Sequence, residues 1–526
     1  MDDLSIDSVS FNDQLLIDHK TITITGFLES IKHKKNFGFL ILRSFPQTIQ
    51  CIFSKDILKE KYEQFTNLNQ ESFLRLTGYP KKLTKPIKAT TIKFYELEIT
   101  DLKIESSAEK LPFDLKDLNN NILKIEIKKE NKKSGSAQIQ EQRDEGDENN
   151  LQPDVSMKTR LDNRTVDLRS IPSSCIIRLL DETMFLFRSY LRQHSFMEMK
   201  TPKLLESGTE GGANLFEVKY FKKTAYLAQS PQFYKQMMII SGFKKVYEIG
   251  HVYRQEESNI NRYLSEFIGL DLEMETDSMD TLIHFIYNLF FYIFKNIELL
   301  EEFETLKKYF PFENLVLSEQ PYIIKHSECV KLLKENGHEI NYTDDLSRGQ
   351  EKALGDIIKQ NKNVDFFIIK EYPKKVRAFY TETLKESFSE NDTKYVDKKS
   401  FDKKSTDQIS DDKISDNQIS DDKISEIEVD PISEIEYSKS FDGILRSEEI
   451  FSGSIRIHDH DRLKQSAIDL NINPENISSY LNCFKFGVPR HGGCGVGLER
   501  LVKAMVGGKD IRLFTAFCRD PGRLGP

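Results

Sequence analysis

A combination of side chains suited to a nucleotide occurs in residues 245–275, KVYEIGHVYRQEESNINRYLSEFIGLDLEME. Two runs of alternating apolar residues flank a polar loop, and side chains two apart on a strand share a face. Those faces carry Glu248, Gly250, Val252 and Arg254 on the first run, and Phe267, Gly269 and Asp271 on the second. Arginine suits a phosphate, an aromatic ring suits a purine, and glycine leaves room for a ligand. The pattern predicts a hairpin lining a nucleotide cleft; an amphipathic hairpin with a half-exposed charged face is the alternative.

The hairpin resembles motif 2 of the class II aminoacyl-tRNA synthetases, which has an arginine and a glutamate on one strand and a phenylalanine on the next. Arg254, Glu256 and Phe267 stand at those positions. The closing segment VPRHGGCGVGLERLVKAM resembles motif 3, because it is rich in glycine and opens a helix with Gly497 and Arg500. The two motifs occur in the family's order, about 230 residues apart. This order and separation make the resemblance specific.

Two further segments narrow the resemblance. Apolar residues at helical spacing between Cys175 and His194, followed by FMEMKTPKLLES with Pro202, are similar to the looser motif 1. The stretch LAQSPQFYKQMMIISGF resembles the aspartyl-tRNA synthetases of the eukaryotic and archaeal type, whereas the asparaginyl relatives have a different motif there, without the lysine. TEGGANLFEV, GSIRIHDH and the terminal FCRDPGRLGP also fit the aspartyl family. The chain is therefore identified from its sequence as a member of that family.

The resemblance implies a cationic pocket for the side chain of the amino acid, formed by Lys235 and Arg456. Burying two cations is costly unless a carboxylate pairs with them, so a neutral asparagine would bind poorly. The α-ammonium group would be bound by polar residues that include Glu210, which lies in a glycine-flanked loop that closes over the amino acid in the family. The full implied set for aspartate is Glu210, Ser230, Gln232, Lys235, Asp271, Ser452 and Arg456.

The resemblance also implies that ATP binds in a bent form, with its adenine between Phe267 and Arg500 and its α-phosphate against Arg254. Positioning and charge neutralisation supply most of the rate in such a transfer, and no side-chain nucleophile is required. The implied catalytic residues are Arg254, Glu256 and Arg500, and the implied ATP contacts are Arg254, Glu256, Arg262, Tyr263, Phe267, Glu449, Gly497 and Arg500. Tyr263 departs from the family, which usually has a histidine or arginine near the γ-phosphate; neighbouring Arg262 could compensate.

Magnesium is the second expected cofactor, beside ATP as substrate. Mg²⁺ prefers hard oxygen ligands, and Asp442 and Glu449 stand at the family's metal positions. The glycine run between Gly493 and Gly497 differs in spacing from the dinucleotide fingerprint and follows no βαβ unit. An NAD site is therefore excluded.

Five short alternating runs between residues 20 and 112 predict a small Greek-key barrel of the OB type. In the family this barrel reads the tRNA anticodon, and single-stranded loops are usually read by stacking and by hydrogen bonds to base edges. Phe39 and Gln50, eleven residues apart, match the family's stacking aromatic and base-reading amide, and Glu98 is a further candidate. For Phe39 the alternative is an ordinary place in the barrel core.

The expected architecture is α+β, with an OB-fold β-barrel followed by a class II catalytic domain whose antiparallel sheet is flanked by helices. The predicted divisions are a tail at 1–19, the barrel at 20–112, a charged linker at 113–156 and the catalytic domain at 157–526. Near-repeats such as DNQISDDKIS mark an insert at 388–436. Its isolated isoleucines cannot build a core, so we expect it to be disordered.

Composition is consistent with this interpretation and excludes other classes. The 526 residues have room for two or three domains, and the six cysteines form neither a CxxC pair nor a cluster at metal spacing. The apolar run HFIYNLFFYIFKNIELL has polar breaks and is typical of a buried helix, so no membrane span is expected. The acidic start MDDLSIDSVSFNDQ is unlike a secretory or transit peptide, which leaves the cytosol as the expected location. A net charge of −9 argues against bulk nucleic-acid coating but allows a local basic face for RNA.

Together these features imply activation of L-aspartate by ATP and its transfer to tRNA(Asp), by a homodimer formed through motif 1. Asparaginyl-tRNA synthetase activity, or relaxed charging of tRNA(Asn) as well, is the alternative. A non-catalytic scaffold would be expected to lose Arg254, Glu256, Phe267 or Arg500, all of which are present. A related amidating ligase that makes asparagine would lack the barrel.

Overall fold

The structure is a computed structural model that describes residues 21–59, 61–118, 155–208, 215–255, 263–309, 312–384 and 435–525. The chain divides into two compact units, Met1–Cys175 together with Pro526, and Ile176–Gly525. The predicted tail at 1–19, most of the linker at 113–156 and nearly all of the insert at 388–436 lie outside the described residues.

The first unit contains a closed five-stranded barrel, as the alternating runs predicted. Its strand order is β1-β2-β3-β5-β4, and inward residues such as Leu28, Leu42 and Phe53 form its core. The strands are β1 (Ile22–His33), β2 (Phe37–Ser44), β3 (Gln47–Ser54), β4 (Phe73–Lys82) and β5 (Tyr95–Ser106). The helices of this unit are α1 (Lys55–Leu58), α2 (Lys61–Thr66), α3 (Met157–Asp162) and α4 (Arg164–Asp167), and α5 (Ile171–Gln193) begins in it.

The second unit is built on an eight-stranded sheet with the order β12-β13-β14-β15-β16-β11-β10-β6, beside a small sheet with the order β7-β9-β8. Its strands are β6 (Met197–Glu198), β7 (Leu204–Leu205), β8 (Glu217–Tyr220), β9 (Lys223–Leu227), β10 (Lys245–Tyr253), β11 (Glu266–Glu275), β12 (Tyr322–Lys325), β13 (Phe366–Lys370), β14 (Ser440–Leu445), β15 (Glu448–Ile455) and β16 (His491–Gly497). The pairs from β13 to β10 are antiparallel, but β12·β13 and β10·β6 are parallel. The sheet is therefore mixed, and the expectation of an antiparallel sheet holds for its central six strands.

Helices of the second unit cover the sheet and carry the buried faces that their periodicity predicts. They are α6 (Gln232–Ile240), α7 (Met279–Ile297), α8 (Glu301–Leu306), α9 (His326–Glu335), α10 (Arg348–Lys362), α11 (His460–Asp469), α12 (Ser478–Cys483) and α13 (Leu498–Met505), with 3₁₀ turns at Lys374–Val376, Pro474–Ile477 and Ile511–Phe514. In α5 the predicted apolar stripe is buried, as at Leu179, Phe187 and Leu191. The run expected to be a buried helix forms α7, which buries nine side chains. Among the described residues, no helix is both long and apolar enough to cross a membrane.

The two described segments that flank residues 385–434 are paired with each other. The Leu384 N–H donates to the Tyr437 carbonyl at 2.9 Å, and Thr383 forms an antiparallel bridge with Ser438. This pairing brings the chain segments on either side of the insert close together. They also lie just before β14, which carries Asp442.

Candidate active site

The site is built on rows of facing residues across the large sheet. In the register, Asp442 faces Ser452, Ser452 faces Gly495, and Gly495 faces Asp271. Adjacent strands are about 4.8 Å apart, and facing side chains in antiparallel pairs point to the same side of a sheet. Four strands from distant parts of the chain therefore place one polar row on a single face.

A second row of facing residues contains the carboxylate of Glu273, and the position opposite it must be a glycine. Glu273 faces Gly493, and Gly493 faces Ser454. A Cβ atom added at Gly493 would lie 2.1 Å from the Leu272 carbonyl oxygen and 2.3 Å from Glu273 Oε2. Gly493 therefore makes space for Glu273 inside the sheet, and it is not among the residues that line the cavity. The two later glycines of the run, Gly495 and Gly497, do line it.

A cavity of about 320 Å³ lies over these rows, within the range of small-molecule sites of about 300–1,000 Å³. Motif 2, motif 3 and the strand pair β14–β15 all contribute to its wall. The predicted site residues that line it are Ser230, Gln232, Arg254, Tyr263, Phe267, Asp271, Glu449, Ser452, Arg456, Gly497 and Arg500. Thus residues spread over most of the second unit meet at one cavity.

The nucleotide side of the cavity has an aromatic ring with an arginine beside it. The guanidinium of Arg254 lies 5.7 Å from the centre of the Phe267 ring. Gly497 lies beside both Phe267 and Arg500, since a Cβ atom there would be 3.8 Å from each side chain. All of these residues line the cavity, and the missing side chain at Gly497 leaves room there for a flat ligand such as a purine.

The amino-acid side contains a buried amide without a partner. Gln232 begins α6 and is 4 % exposed, and its Nε2 has no hydrogen-bond partner among the described residues. Ser230 precedes it, and the Ser230 Oγ accepts from the Gln232 N–H at 3.3 Å. A buried donor left unsatisfied is costly unless a ligand or water accepts from it. This position is therefore suited to a polar ligand.

Lys235, on the same helix, lies behind the cavity wall and does not line it. Its Nζ donates to Asp271 Oδ1 at 3.0 Å and to the Cys494 carbonyl at 3.1 Å, and it lies 3.5 Å from Glu273 Oε2. The lysine is 1 % exposed. Lys235 therefore neutralises two carboxylates and orients Asp271, whose side chain does reach the cavity.

Arg456, predicted as the other cation, lines the cavity and is paired with Glu273. Its Nε and Nη2 donate to the two Glu273 oxygens at 2.8 and 3.1 Å, and its Nη1 donates to Ser454 Oγ at 2.6 Å. Burial would raise the pKa of Glu273, but Arg456 and Lys235 outweigh it and hold that pKa below its ordinary value. Burial works against the charge of Arg456, yet Glu273 raises the arginine's pKa. Both groups are thus charged before any substrate is present.

The two predicted metal ligands lie close together, but only Glu449 lines the cavity. Burial, and then the neighbouring Asp442 carboxylate, raise the pKa of Glu449 to about 7. Asp442 is 3 % exposed and is held by Arg377, whose Nη2 and Nη1 donate to its two oxygens at 2.5 and 3.2 Å. Arg377 also lines the cavity and stacks on Tyr372, with its guanidinium carbon 3.6 Å from the ring centre.

Three predicted residues lie outside the described residues: Glu210, Glu256 and Arg262. Tyr263, next to the last of them, is described and lines the cavity. The roles given to these four residues remain predictions.

The predicted anticodon residues share the outer face of the barrel. Phe39 faces Ile52, Ile52 faces Glu98, and Glu98 faces Tyr79, so one row crosses four strands. Phe39 alternates with buried neighbours and does not belong to the barrel core, which argues against its alternative role. Tyr79 is 51 % exposed at the end of the row.

Gln50 lies on the same outer face in the adjacent row. Its Nε2 donates to Glu96 Oε2 at 3.0 Å, because the two residues face each other across β3 and β5. This bond fixes the orientation of the amide, so its edge is presented in a single direction.

The match to a family model decides which family the chain represents. The family described as tRNA synthetases class II (D, K and N) matches residues 156–521. The chain belongs to this family. The match covers the whole sheet and every described residue that lines the cavity.

Similar proteins place the chain within this family of synthetases. The probable cytoplasmic aspartate–tRNA ligase of Enterocytozoon bieneusi is 40 % identical over 512 residues, which cover 96 % of this chain and 93 % of that protein. The cytoplasmic aspartate–tRNA ligase of Caenorhabditis elegans is 34 % identical over 96 % of this chain and 85 % of its own length.

Solved structures agree with these sequence relatives. The aspartyl-tRNA synthetase of Entamoeba histolytica has a TM-score of 0.76 at 32 % identity, covering 98 % of this chain and 92 % of that chain. The asparaginyl-tRNA synthetase of Pyrococcus horikoshii complexed with asparaginyl-adenylate also has a TM-score of 0.76, at 22 % identity, covering 99 % of this chain and all of that chain. That second similarity shows the shared fold alone.

The sequence analysis did not predict two residues of this class II site, Glu273 and Arg377. The alternation that joined Phe267, Gly269 and Asp271 continues by one more step to Glu273, so the same rule would have found it. For Arg377 we see no such local signal, because it follows a 3₁₀ turn outside the three motifs. Its partner Asp442 is 65 residues away in the chain.

Proposed function

We propose that this chain is an aspartate–tRNA ligase that activates L-aspartate with ATP, forms aspartyl-adenylate and transfers the aspartyl group to the 3′ end of tRNA(Asp). Its family and the names of its relatives support this function, and those names also support a cytoplasmic location. ATP is the energy-supplying substrate throughout this family of synthetases.

The preference for aspartate over asparagine is inferred from the N–H donors of Arg456 that make no hydrogen bond within the site. A guanidinium has five N–H donors, and three of them are directed to Glu273 and Ser454. One N–H on each Nη atom therefore remains, and in this proposal the two form an end-on fork toward the cavity that Arg456 lines. Such a fork binds two acceptor oxygens. A carboxylate supplies both, whereas the amide of asparagine supplies one acceptor and would direct an NH₂ group at the second donor.

The remaining residues divide between the two substrates. Ser230, Gln232, Asp271 and Ser452 would hold the polar groups of aspartate, with Lys235 acting through Asp271. Phe267, Gly497 and Arg500 would hold the adenine. Arg254 would bind the α-phosphate, where negative charge accumulates as an oxygen of the α-carboxylate attacks and diphosphate leaves. Charge neutralisation and alignment of this kind supply the rate without a side-chain nucleophile.

Asp442 and Glu449 fit a Mg²⁺ ion by their chemistry. Two neighbouring carboxyl groups, one with its pKa raised to about 7 partly by the other, have negative charge that a hard divalent cation would neutralise. When bound, the ion would screen the phosphate charges against the attacking carboxylate. In this proposal these two residues hold it, and Ser452 lies beside Asp442 in the adjacent strand.

The outer face of the barrel is the proposed anticodon surface. Phe39 and Tyr79 lie at the two ends of one row, with Glu98 between them, and Gln50 lies in the next row. Aromatic rings stack on bases, while amide and carboxylate groups bond to base edges. This arrangement supports tRNA as the macromolecular partner.

We also propose that the enzyme is a homodimer associated through motif 1. Phe185 on α5 is 56 % exposed and Leu204 on β7 is 46 % exposed, both within or just after that motif. Large exposed apolar side chains are a feature of surfaces that a partner covers. Sedimentation equilibrium at micromolar concentration is expected to give twice the mass of the chain, and an active monomer would contradict this.

Exchange of pyrophosphate into ATP tests the function directly. With L-aspartate the purified protein should catalyse exchange without tRNA, and with L-asparagine it should give at most a small fraction of that rate. Charging assays with transcripts of tRNA(Asp) and tRNA(Asn) would then separate a specific enzyme from a relaxed one. Exchange that depends on asparagine would support the alternative assignment, and no exchange with either amino acid would contradict both.

A further inference from the structure

Arg377 closes off one of the two proposed metal ligands from the cavity. Both oxygens of Asp442 accept from its guanidinium, at 2.5 and 3.2 Å. Arg377 lines the cavity together with Glu449 and Ser452, whereas Asp442 does not. An ion entering from the cavity would therefore meet a guanidinium where the proposed function requires a free carboxylate.

The guanidinium is held in this position by two further contacts. It stacks on Tyr372, which is 2 % exposed, and its Nη1 donates to Ser452 Oγ at 3.3 Å. The Tyr372 ring packs in turn against His326, with the ring centres 4.8 Å apart. The buried ring attracts the guanidinium by a cation–π interaction, and so helps to hold Arg377 beside Asp442.

One donor of Arg377 is not used. Its Nε is buried and has no hydrogen-bond partner among the described residues. Leaving a buried donor of a charged group unsatisfied is costly. This donor is therefore available to an acceptor that the described residues do not supply, such as a ligand oxygen.

The contacts of Asp442 explain why a free metal ion would gain little here. Both of its oxygens already accept from the Arg377 guanidinium, and its side chain is only 4 % exposed. A metal ion would have to displace this cation before it could bind the carboxylate. Mg²⁺ is normally bound through one or two carboxylates plus the phosphates of a substrate.

We propose that Arg377 is a resident cation for Asp442 that keeps divalent metal away from this carboxylate until ATP is bound, and so makes metal binding depend on the nucleotide. This inference rests on the proposed function, since it assumes that Asp442 belongs to the metal site. Once released from Asp442, the guanidinium would have donors available for the triphosphate. It would thereby supply a basic group in the same cavity as Tyr263, which replaces the family's histidine or arginine.

The test uses Mn²⁺ as the probe, measured from the electron paramagnetic resonance signal of the free ion. The nucleotide-free wild-type protein is compared with Arg377→Gln. We expect the variant to bind Mn²⁺ at least about tenfold more tightly, which corresponds to ~1.4 kcal/mol. Adding ATP without aspartate should tighten binding strongly in the wild type and much less in the variant, because the coupling between the two ligands is reciprocal.

Three further variants make the result specific. Arg377→Gln combined with Asp442→Asn should lose the extra affinity, which locates the gain at Asp442. Arg512→Gln removes another bidentate pair, with Asp510 at 2.9 and 2.7 Å, and should leave Mn²⁺ binding unchanged. Arg377→Lys keeps the charge but cannot bridge both oxygens, so it should give an intermediate affinity. If the glutamine variant does not fold, Arg377→Lys is the variant whose Mn²⁺ affinity is compared with that of the wild type.

Equal or weaker Mn²⁺ binding in the folded glutamine or lysine variant would overturn the inference, since Arg377 would then only position Asp442. Pyrophosphate exchange by the wild-type protein is measured in parallel. Loss of that exchange would contradict the proposed function itself, whereas normal exchange without a change in metal affinity would contradict the role of Arg377 alone.

Discussion

At the scale of single residues, the charges of the site compensate each other before any substrate is present. Arg456 is paired with Glu273, and Lys235 bridges Asp271 and Glu273. Two cations and two carboxylates therefore form one buried, hydrogen-bonded group. Removing a single member would leave an unpaired buried charge, which is more costly than the loss of one contact. Selectivity for the substrate then depends on the N–H donors of Arg456 that the site does not use, rather than on unpaired charges.

Arg456→Leu should abolish aspartate activation, because it removes the end-on fork and leaves the buried Glu273 carboxylate without its arginine partner. Truncating one partner of a buried charge pair costs about 2–5 kcal/mol, so the kcat/KM for aspartate in pyrophosphate exchange should fall by ~30-fold or more. Lys235→Met should act in the same direction through Asp271. Arg462→Leu is the matched control, because neither Arg462 nor its partner Glu382 lines the cavity. Near-normal activity of either site variant would show that its role has been assigned wrongly.

Glu499 gives a pH-dependent prediction. Burial raises its pKa from 4.5 to about 8, although backbone N–H groups, including that of Ile268, donate to it. A raised folded-state pKa means that the stability contribution is complete below the unfolded value and is lost as pH rises through about 8. Glu499→Gln is neutral at every pH and should remove this loss. Melting temperatures between pH 5 and pH 9 should therefore decline less in the variant, and parallel curves would contradict the assignment.

At the scale of elements, strand register determines which side chains of the site lie together. Ser452, Gly495 and Asp271 form one row only because β15, β16 and β11 pair in the observed register. A slip of one residue in any pair would turn its polar side chains to the other face of the sheet. Glycine at 493 protects this register, since no other residue leaves room for Glu273.

The barrel face is the second functional element, and Phe39→Ala tests it. Loss of a stacking ring costs about 1–3 kcal/mol per base, so the KM for tRNA(Asp) should rise by roughly 5- to 100-fold while pyrophosphate exchange stays normal. Phe73→Ala is the control, because it removes a ring of the same size from a position where it packs against Phe27. If Phe39→Ala slows exchange and charging equally, the effect is on the structure of the barrel and not on the anticodon.

At the scale of the whole molecule, the chain accommodates a long insertion between two segments that already pair with each other. Leu384 and Tyr437 are hydrogen-bonded across residues 385–434. The sheet therefore continues from β13 to β14 by a local pairing, whatever length of chain lies between. The entropic cost of a surface loop grows only slowly with its length.

Replacing Asn391–Glu434 with a short Gly/Ser linker should keep aspartyl-adenylate synthesis within a few-fold of the wild-type rate. The reason is that the flanking pairs already fix the start of β14, and thus Asp442. The measurement is pyrophosphate exchange together with the melting temperature. A folded variant without activity would show that the insert itself takes part in the function.

The sequence, with its resemblance to a known family, predicted the fold, the reaction class and eleven of the residues that line the cavity. Strand alternation, helical spacing and motif order are local properties, so they can be read without coordinates. They placed Phe267 and Asp271 on one face, made Gly497 the start of a helix, and predicted the five strands of the barrel. Even Glu273 was within reach of the same alternation rule.

Only the tertiary structure decided which charges are paired. Arg456 meets Glu273 from 183 residues away, Lys235 meets the Cys494 carbonyl from 259, and Arg377 meets Asp442 from 65. A hydrogen bond depends on angstrom-scale distance and direction, and between distant segments these follow from strand register and side-chain packing. Residue spacing contains no such information. For that reason the sequence predicted the charged groups of the site, whereas the fold showed that Arg377 and Arg456 already hold carboxylates before a substrate arrives.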